Sequence, residues 1–227
     1  MSYADTRARV ETYFDRTATK VWDRLTSDVP VSGIRATVRA GRDRMRALML
    51  DQLPADLRGA RVLDAGCGTG TMAVELARRG ASVVAVDISP QLIGIARERA
   101  PQGLAIDWRA GDMMDPALGA FDAILAMDSM IYYSADDVAG LLARAAPRLS
   151  GRFIFTLAPR TVPLMIMWRA GKLFPASDRS PQMVPHRARD IRAAARAQGL
   201  KGDLAEAGTI KSGFYISQAL VYEGGRA

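Results

Sequence analysis

The chain has 227 residues, a length that suits one α/β domain with a full hydrophobic core. Apolar residues make up 49% of it and charged residues 24%, a balance that excludes an intrinsically disordered protein. The formal net charge of +7 and the isoelectric point near 10.0 favour an anionic partner. Nucleic acid, an acidic membrane surface and a small carboxylate or phosphate all meet that condition.

Cysteine and histidine are scarce, which limits the available chemistry. The single cysteine, Cys67, excludes an intrachain disulfide, and the single histidine, His186, is expected at the surface. We therefore expect no metal site in the protein. No apolar run approaches the roughly 18 residues of a membrane span, and the N-terminus lacks a signal peptide. The sequence predicts a cytoplasmic protein.

The first 57 residues are predicted to form a helical segment that acts as a lid. Apolar residues recur at helical spacing over about 4–28 and again over 34–53. Strands, glycine-rich turns and helices then alternate through a predicted cofactor-binding core, residues 58–158. Three strand–helix–strand units in a row predict a parallel, doubly wound sheet. The strands of this core are predicted at 61–64, 81–87, 104–109, 121–127 and 152–158.

The remainder of the chain is less regular. Residues 159–187 contain several prolines around an apolar cluster and are too long for a simple connection, so we expect an insertion that covers the site. Residues 188–227 are predicted to form a C-terminal helix and closing strands, of which we place one at 213–223. Residues 144–202 carry twelve Lys and Arg against two Asp, so the positive excess of the chain lies there.

The strongest chemical signal is the segment Val-Leu-Asp-Ala-Gly-Cys-Gly-Thr-Gly at the first predicted strand. A phosphate-binding loop would require a lysine after Gly70, and none is present. A dinucleotide fingerprint has the pattern G-x-G-x-x-G, whereas Gly66, Gly68 and Gly70 give G-x-G-x-G. Asp64, directly before the turn, would repel a pyrophosphate but suits a cation.

This pattern resembles motif I of the class I methyltransferases, whose cofactor S-adenosylmethionine carries an ammonium and a sulfonium group. The resemblance implies an α/β fold with a Rossmann-like, doubly wound, mostly parallel sheet of seven strands. Asp87 ends the second strand, where a carboxylate accepts both ribose hydroxyls. Asp112 and Met113 follow the third strand, where the family places a carboxylate and an apolar residue beside adenine. The expected cofactor-binding residues are Asp64, Gly66, Cys67, Gly68, Gly70, Asp87, Ile88, Asp112, Met113 and Met127.

Residues 127–133, after the fourth strand, are expected to face the transferred methyl group. They lack the Asn/Asp-Pro-Pro-Tyr/Phe pattern of enzymes that methylate base amines. Methylation of a pyrimidine at carbon 5 requires a nucleophilic cysteine, whereas Cys67 is expected to serve only as a small residue in the cofactor turn. The positive charge keeps an RNA methyltransferase acting on ribose or guanine N7 as the alternative. A non-catalytic tetrapyrrole carrier on the same fold is a third hypothesis.

Three segments outside the cofactor motif indicate a narrower family. Residues 13–17, Tyr-Phe-Asp-Arg-Thr, with Trp22 and Arg24, resemble a Y-F-N-x-T…W-x-R pattern. Residues 128–133 resemble D-x-L-I-H-Y, and residues 174–181 resemble an insertion after strand five. All three patterns are those of the magnesium-protoporphyrin O-methyltransferases of chlorophyll and bacteriochlorophyll biosynthesis. The resemblance implies methyl transfer to a propionate of magnesium protoporphyrin IX, with the monomethyl ester and S-adenosylhomocysteine as products.

Two residues depart from that family pattern. Tyr132 stands where the family often has a histidine considered catalytic, and Asp15 replaces an asparagine. A histidine relay is not required, because a propionic acid is already ionised at neutral pH. We expect Tyr13 and Tyr132 as catalytic residues that orient the carboxylate by hydrogen bonds. The expected substrate-binding residues are Asp128, Arg160, Met165, Trp168 and Arg169.

The resemblance also implies partners. A magnesium chelatase large subunit would donate the substrate, and no nucleic-acid partner is expected. The basic, Met-rich surface leaves a peripheral contact with the photosynthetic membrane open. For His186, the alternative to a surface position is an axial position on the magnesium of the substrate.

Overall fold

A computed structural model describes residues 3–13, 33–160 and 183–224. The helices are α1 (Tyr3–Tyr13), α2 (Ile34–Leu50), α3 (Thr71–Arg78), α4 (Pro90–Arg99), α5 (Ala135–Ala145) and α6 (Ala188–Ala197). The strands are β1 (Arg61–Ala65), β2 (Ser82–Asp87), β3 (Ile106–Ala110), β4 (Phe121–Ala126), β5 (Leu149–Leu157), β6 (Gly202–Ser212) and β7 (Tyr215–Gly224).

All seven strands form one sheet in the order β3-β2-β1-β4-β5-β7-β6. Strands β1 to β5 pair in parallel, while β7 pairs antiparallel with both β5 and β6. The strand order reverses between β1 and β4, because the chain passes from β3 on one side of β1 to β4 on the other. Such a reversal opens a crevice at the carboxyl ends of the parallel strands, where ligands bind in folds of this type.

Helices cover both faces of the sheet, and the side chains of each strand alternate between two hydrophobic cores. In β1, Leu63 belongs to the core that includes Leu141 of α5, whereas its neighbour Val62 belongs to the core that includes Met49 of α2. Strands that are buried on both faces consist of continuous apolar runs, as the sequence of β2 illustrates. This burial makes the sheet a rigid platform for the loops at its carboxyl edge.

Most predicted elements are present. Ser89 caps α4, since its hydroxyl oxygen accepts a hydrogen bond from the amide of Leu92 at 3.3 Å, and Pro90 occupies the first helical position. The sequence analysis placed one closing strand, and the structure adds β6 before it. The predicted helix beyond residue 13, the family pattern at residues 14–24 and most of the insertion lie outside the described residues.

Helix α2 lies very close to the β6–β7 hairpin. A Cβ atom added at Gly41 would lie 2.6 Å from Cδ1 of Tyr215 and 2.9 Å from Cβ of Ser212. One turn earlier, the carbonyl of Thr37 accepts a hydrogen bond of 2.8 Å from Ser212 Oγ. Because β7 is antiparallel to β5, this end of the hairpin lies at the carboxyl edge of the parallel strands. The close approach therefore brings α2 to that edge.

The substitution Gly41→Ala tests this packing. We expect it to lower the free energy of unfolding by about 1–3 kcal/mol, because helix and hairpin must separate to admit the methyl group. Gly94→Ala is the matched control, since Gly94 lies within α4 and nothing is within 4 Å of its added Cβ. The control should gain up to about 1 kcal/mol from the better helix propensity of alanine. Urea unfolding that finds Gly41→Ala as stable as the control would contradict the packing described.

Candidate active site

A cavity of about 300 Å³ opens at the carboxyl ends of β1 to β4. It is lined by loops that follow these four strands and by side chains of α1 and α2. Eleven of the residues predicted from the sequence line it: Asp64, Gly66, Cys67, Gly68, Asp87, Ile88, Asp112, Met113, Met127, Asp128 and Tyr132. The structure thus brings the predicted motifs together from positions far apart in the chain.

The glycine-rich turn after β1 is shaped by close backbone packing. A Cβ atom added at Gly66 would lie 2.3 Å from Cβ of Ser129, so a side chain at this position would displace the loop after β4. Gly68, with φ +55°, has nothing within 4 Å of its added Cβ and faces open space at the cavity. Gly70 does not line the cavity; it packs against Trp108 and precedes α3. The turn therefore exposes bare backbone to a ligand at Gly68.

The carboxylate of Asp87 holds this turn in place. One of its oxygens, Oδ2, accepts a hydrogen bond of 2.8 Å from the amide of Gly68, and Oδ1 accepts one of 2.9 Å from the amide of Ser89. The side chain is buried at the end of β2. These two bonds fix the orientation of the carboxylate at the cavity wall.

Asp64 is a buried acid with an unpartnered oxygen. It is only 1% exposed, and its Oδ2 atom has no hydrogen-bond partner among the residues that the structure describes. Burial, reinforced by the charge of Asp87, raises the pKa of Asp64 to about 7, although the amide of Ala73 acts in the opposite direction. A buried acid of this kind at a cavity wall suits a cationic ligand.

Asp112 is held by helix α1, which the sequence analysis did not connect with this residue. Its oxygens accept hydrogen bonds from Tyr3 Oη at 2.7 Å, from Arg7 at 2.9 Å and from the amide of Met114 at 2.8 Å. Burial would raise the pKa of Asp112, but these bonds keep it below its usual range. The ring of Tyr3 also stacks on Tyr133 at a centroid distance of 5.1 Å. Helix α1 therefore closes one end of the cavity.

The two predicted catalytic tyrosines are neighbours, but only Tyr132 lines the cavity. Tyr13 packs in an apolar cluster with Val10, Leu92 and Tyr132. Burial and the nearby Asp128 carboxylate raise the pKa of Tyr132, so its phenol is protonated and can donate a hydrogen bond. The catalytic role of Tyr13 stays a prediction.

Cys67 lines the cavity, where its surroundings disfavour the thiolate. Burial, with the charges of Asp64 and Asp87 nearby, raises the pKa of its thiol well above the usual value. The thiolate required for nucleophilic attack is therefore strongly disfavoured. This agrees with the expectation that Cys67 serves as a small residue in the turn.

The arginines of α2 are functional candidates that the sequence analysis missed. Arg39, Arg42 and Arg46 line the cavity, at a spacing of three and four residues that places them on one face of the helix. Arg42 forms an ion pair with Asp128, and Arg46 forms one with Asp43 at 2.8 Å. Their helical spacing was visible in the sequence, but nothing in the sequence showed that this face meets the site.

The remaining predicted residues do not line the cavity or lie outside the described part of the chain. Arg160 is exposed and does not line the cavity. The predicted surface position of His186 is wrong: the residue is 6% exposed, and its Nε2 donates a hydrogen bond of 2.8 Å to the carbonyl of Tyr133. Burial lowers the pKa of His186, so the ring is neutral. Three predicted substrate-binding residues lie outside the described part of the chain: Met165, Trp168 and Arg169.

Within residues 3–13, 33–160 and 183–224, no group of three or more His, Cys, Asp or Glu side chains could hold a metal ion. Among the helices of these same ranges, none combines the length and the apolar character that crossing a bilayer requires.

Two family profiles match the chain. The profile described as "Magnesium-protoporphyrin IX methyltransferase C-terminus" matches residues 126–223, and the one described as "Methyltransferase domain" matches residues 62–150. The first begins at the end of β4 and therefore includes the loop after β4, β5 and the closing hairpin. The second covers the glycine-rich turn together with Asp87 and Asp112.

Known proteins of similar length match almost the whole chain. The magnesium-protoporphyrin O-methyltransferase of Rhodobacter capsulatus is 55% identical over 97% of each chain, and that of Synechocystis is 29% identical over 95% of each. The crystal structure of the Synechocystis magnesium protoporphyrin IX methyltransferase with bound SAH superimposes with a TM-score of 0.78 at 27% identity, covering 95% of this chain and 98% of that one. The expected seven-stranded class I methyltransferase fold is confirmed. The chain belongs to the magnesium-protoporphyrin O-methyltransferase family.

Proposed function

We propose that this protein transfers the methyl group of S-adenosylmethionine to a propionate carboxylate of magnesium protoporphyrin IX. The products are the monomethyl ester and S-adenosylhomocysteine, and the reaction belongs to chlorophyll and bacteriochlorophyll biosynthesis. The relatives named above support the substrate, since they carry this activity in their names and align over nearly the entire chain. The structural observation that carries the proposal is the buried carboxylate of Asp64 at the cavity, whose Oδ2 atom lacks a partner among the described residues.

The residues present fit a cationic methyl donor. Asp64 is buried beside a cavity and would form the charge pair with an ammonium group that its own surroundings do not supply. Asp87, oriented by Gly68 and Ser89, would receive the ribose hydroxyls. Gly68 offers backbone without a side chain to the same ligand. When bound, S-adenosylmethionine supplies an electrophilic methyl group on a positively charged sulfur.

Asp112 would lie beside adenine, as predicted, but α1 adds a constraint. The oxygens of Asp112 already accept hydrogen bonds from Tyr3 and Arg7, so an adenine amino group would share them. Met113 and Ile88 line the same part of the cavity and provide an apolar surface for a flat base. Helix α1 would therefore cover the adenine end of the site.

The acceptor needs orientation more than activation. A propionate is already an anion at neutral pH, so no residue has to remove a proton from it. The arginines of α2 line the cavity and can attract a carboxylate, although Arg42 and Arg46 already pair with Asp128 and Asp43. Tyr132, protonated and partly buried, lines the same cavity and can donate a hydrogen bond to it. The protein would then accelerate the reaction by holding the attacking oxygen about 3–3.5 Å from the methyl group and excluding water.

The RNA methyltransferase hypothesis loses its support. That hypothesis depended only on the net positive charge of the chain. The relatives that match nearly its full length are named magnesium-protoporphyrin O-methyltransferases. The carrier hypothesis differs from ours only in chemistry, because a carrier would bind the porphyrin without esterifying it.

Transfer from a magnesium chelatase and contact with the photosynthetic membrane stay predictions. A membrane contact would use an anionic surface, and α6 presents the exposed side chains of Arg189 and Arg196, with Arg187 directly before it. Co-sedimentation with vesicles of anionic lipid tests the membrane contact, and its absence at physiological salt would refute that contact.

The direct test of the proposed function is product formation. We expect purified protein with S-adenosylmethionine to convert magnesium protoporphyrin IX into a monomethyl ester, detected by mass spectrometry, and to transfer no methyl group to RNA in a parallel reaction. Omission of the cofactor is the control. Binding of the porphyrin, seen as fluorescence quenching, without any ester at saturating cofactor would support the carrier hypothesis and refute ours.

The substitution Asp64→Asn is predicted to separate stability from binding. In the folded protein the pKa of Asp64 is about 7, against 3.8 for an unperturbed carboxyl. Between these values the folded state binds more protons than the unfolded state, so stability falls as the pH rises from about 4 to about 7, by about 4 kcal/mol in total. The asparagine side chain does not ionise and escapes this loss, so the cofactor-free variant should melt at least roughly 5 °C above wild type at pH 8.

The same variant should bind S-adenosylmethionine at least about 10-fold more weakly, because the buried charge that pairs with the ammonium is gone. Asp107→Asn is the control, since that carboxylate is half exposed and pairs with Arg109 at the surface. Thermal unfolding between pH 5 and 8 and titration calorimetry measure the two effects. Identical pH profiles of stability for the two variants would contradict the account of Asp64.

A further inference from the structure

The chain makes an unusual turn directly after β4. Asp128 has a φ of 57°, which makes it the one non-glycine residue with positive φ in the part of the chain that the structure describes. An L-residue in this conformation is strained, so its surroundings must hold it there. In an extended strand alternate side chains face opposite sides, but this turn lets three consecutive residues, Met127, Asp128 and Ser129, line the cavity.

Three different elements hold this turn. Arg42 of α2 forms an ion pair with the Asp128 carboxylate. Tyr215, the first residue of β7, donates a hydrogen bond of 3.1 Å from its hydroxyl to Asp128 Oδ1. Thr156 of β5 contacts the residue twice: its Oγ1 accepts from the Asp128 amide at 2.7 Å and donates to Oδ1 at 3.2 Å.

The turn at Asp128 also contacts the glycine-rich turn that follows β1. Ser129 Oγ donates a hydrogen bond of 2.7 Å to the carbonyl of Ala65, at the end of β1. The side chain of Ser129 fills the space that a Cβ at Gly66 would need. A shift of Asp128 would therefore move Ser129 against the glycine-rich turn and would also displace Tyr132, four residues later, at the same cavity wall.

Stability alone does not explain this network. The Asp128 and Arg42 side chains are 8% and 18% exposed, and a largely buried ion pair is often no more stabilising than apolar side chains of the same volume. Strained residues persist where surrounding contacts over-determine them, and they cluster at functional sites. Here the contacts converge on Asp128, at the start of the loop after β4 and next to the residue that contacts the glycine-rich turn.

We propose that Arg42, Thr156 and Tyr215 are positioning residues for the methyl transfer, acting through the strained turn at Asp128. The three groups fix the position of the loop after β4. Ser129 of that loop contacts the glycine-rich turn, which would bind the cofactor, and Tyr132 of the same loop would contact the acceptor. A misplacement of about 1 Å between reacting groups lowers a rate about 100-fold, so small relaxations of this turn are costly. The inference rests on the proposed function.

The experiment removes one hydroxyl at a time. We expect Tyr215→Phe and Thr156→Val to lower kcat for ester formation about 10-fold or more, with changes in the KM for S-adenosylmethionine below about 3-fold. Thr156→Ser keeps the hydroxyl and should restore most of the rate. In the double variant the two losses should combine to less than their product, because both act through Asp128.

Tyr222→Phe is the matched control. It removes the same hydroxyl from the same strand, but the Tyr222 hydroxyl donates to the carbonyl of Lys201 and Tyr222 does not line the cavity. It should leave kcat unchanged while costing some thermal stability. If Tyr215→Phe and Thr156→Val keep the wild-type kcat, or if Thr156→Ser fails to restore it, the inference is overturned while the proposed function stands. Failure of the wild-type protein to form any ester would instead refute the proposed function.

Discussion

The site is organised around a carboxylate that the fold buries without a full set of partners. Asp64 follows two apolar residues of a central strand, so the sheet carries it into the interior, where an ionised acid is unfavourable. Asp87 ends the adjacent strand and adds a second negative charge nearby. A cationic ligand would pair with the buried charge, and the free energy of binding would then offset the stability that burial of the acid costs. The same acid therefore destabilises the empty protein and stabilises the loaded one.

Charges of both signs line the same cavity. The ends of β1 and β2 contribute Asp64 and Asp87. One face of α2, which reaches the site through the close packing of Gly41 on Tyr215, contributes three arginines, two of which pair with Asp43 and Asp128. The acids would attract the sulfonium donor, and the arginines would attract the carboxylate acceptor, before the two react. The ion pair between Arg42 and Asp128 joins α2 to the loop after β4. Because Ser129 of that loop bonds to Ala65, the pair also links α2 to the glycine-rich turn.

Much of this could be predicted from the sequence because it depends on local pattern. Asp64 and Asp87 were identifiable since each follows an apolar run of a strand, and Asp112 since it follows the third strand, where the family has a carboxylate. Parallel strands end at one edge of a sheet, so the three were expected to lie together. What could not be predicted depends on tertiary contact. Nothing local indicates that Tyr3 reaches across to Asp112, or that Tyr215, at the far end of the chain, bonds to Asp128. The burial of His186 escaped prediction for the same reason.

We claim that a protonated Asp64 becomes ionised when the cationic cofactor binds. Titration calorimetry with S-adenosylmethionine at pH 6, repeated in buffers of different ionisation enthalpy, measures the protons released on binding. With a pKa of about 7 in the empty protein, Asp64 should release close to one proton per cofactor bound at pH 6, and the Asp64→Asn variant almost none. Tight binding without proton release at pH 6 would contradict the claim.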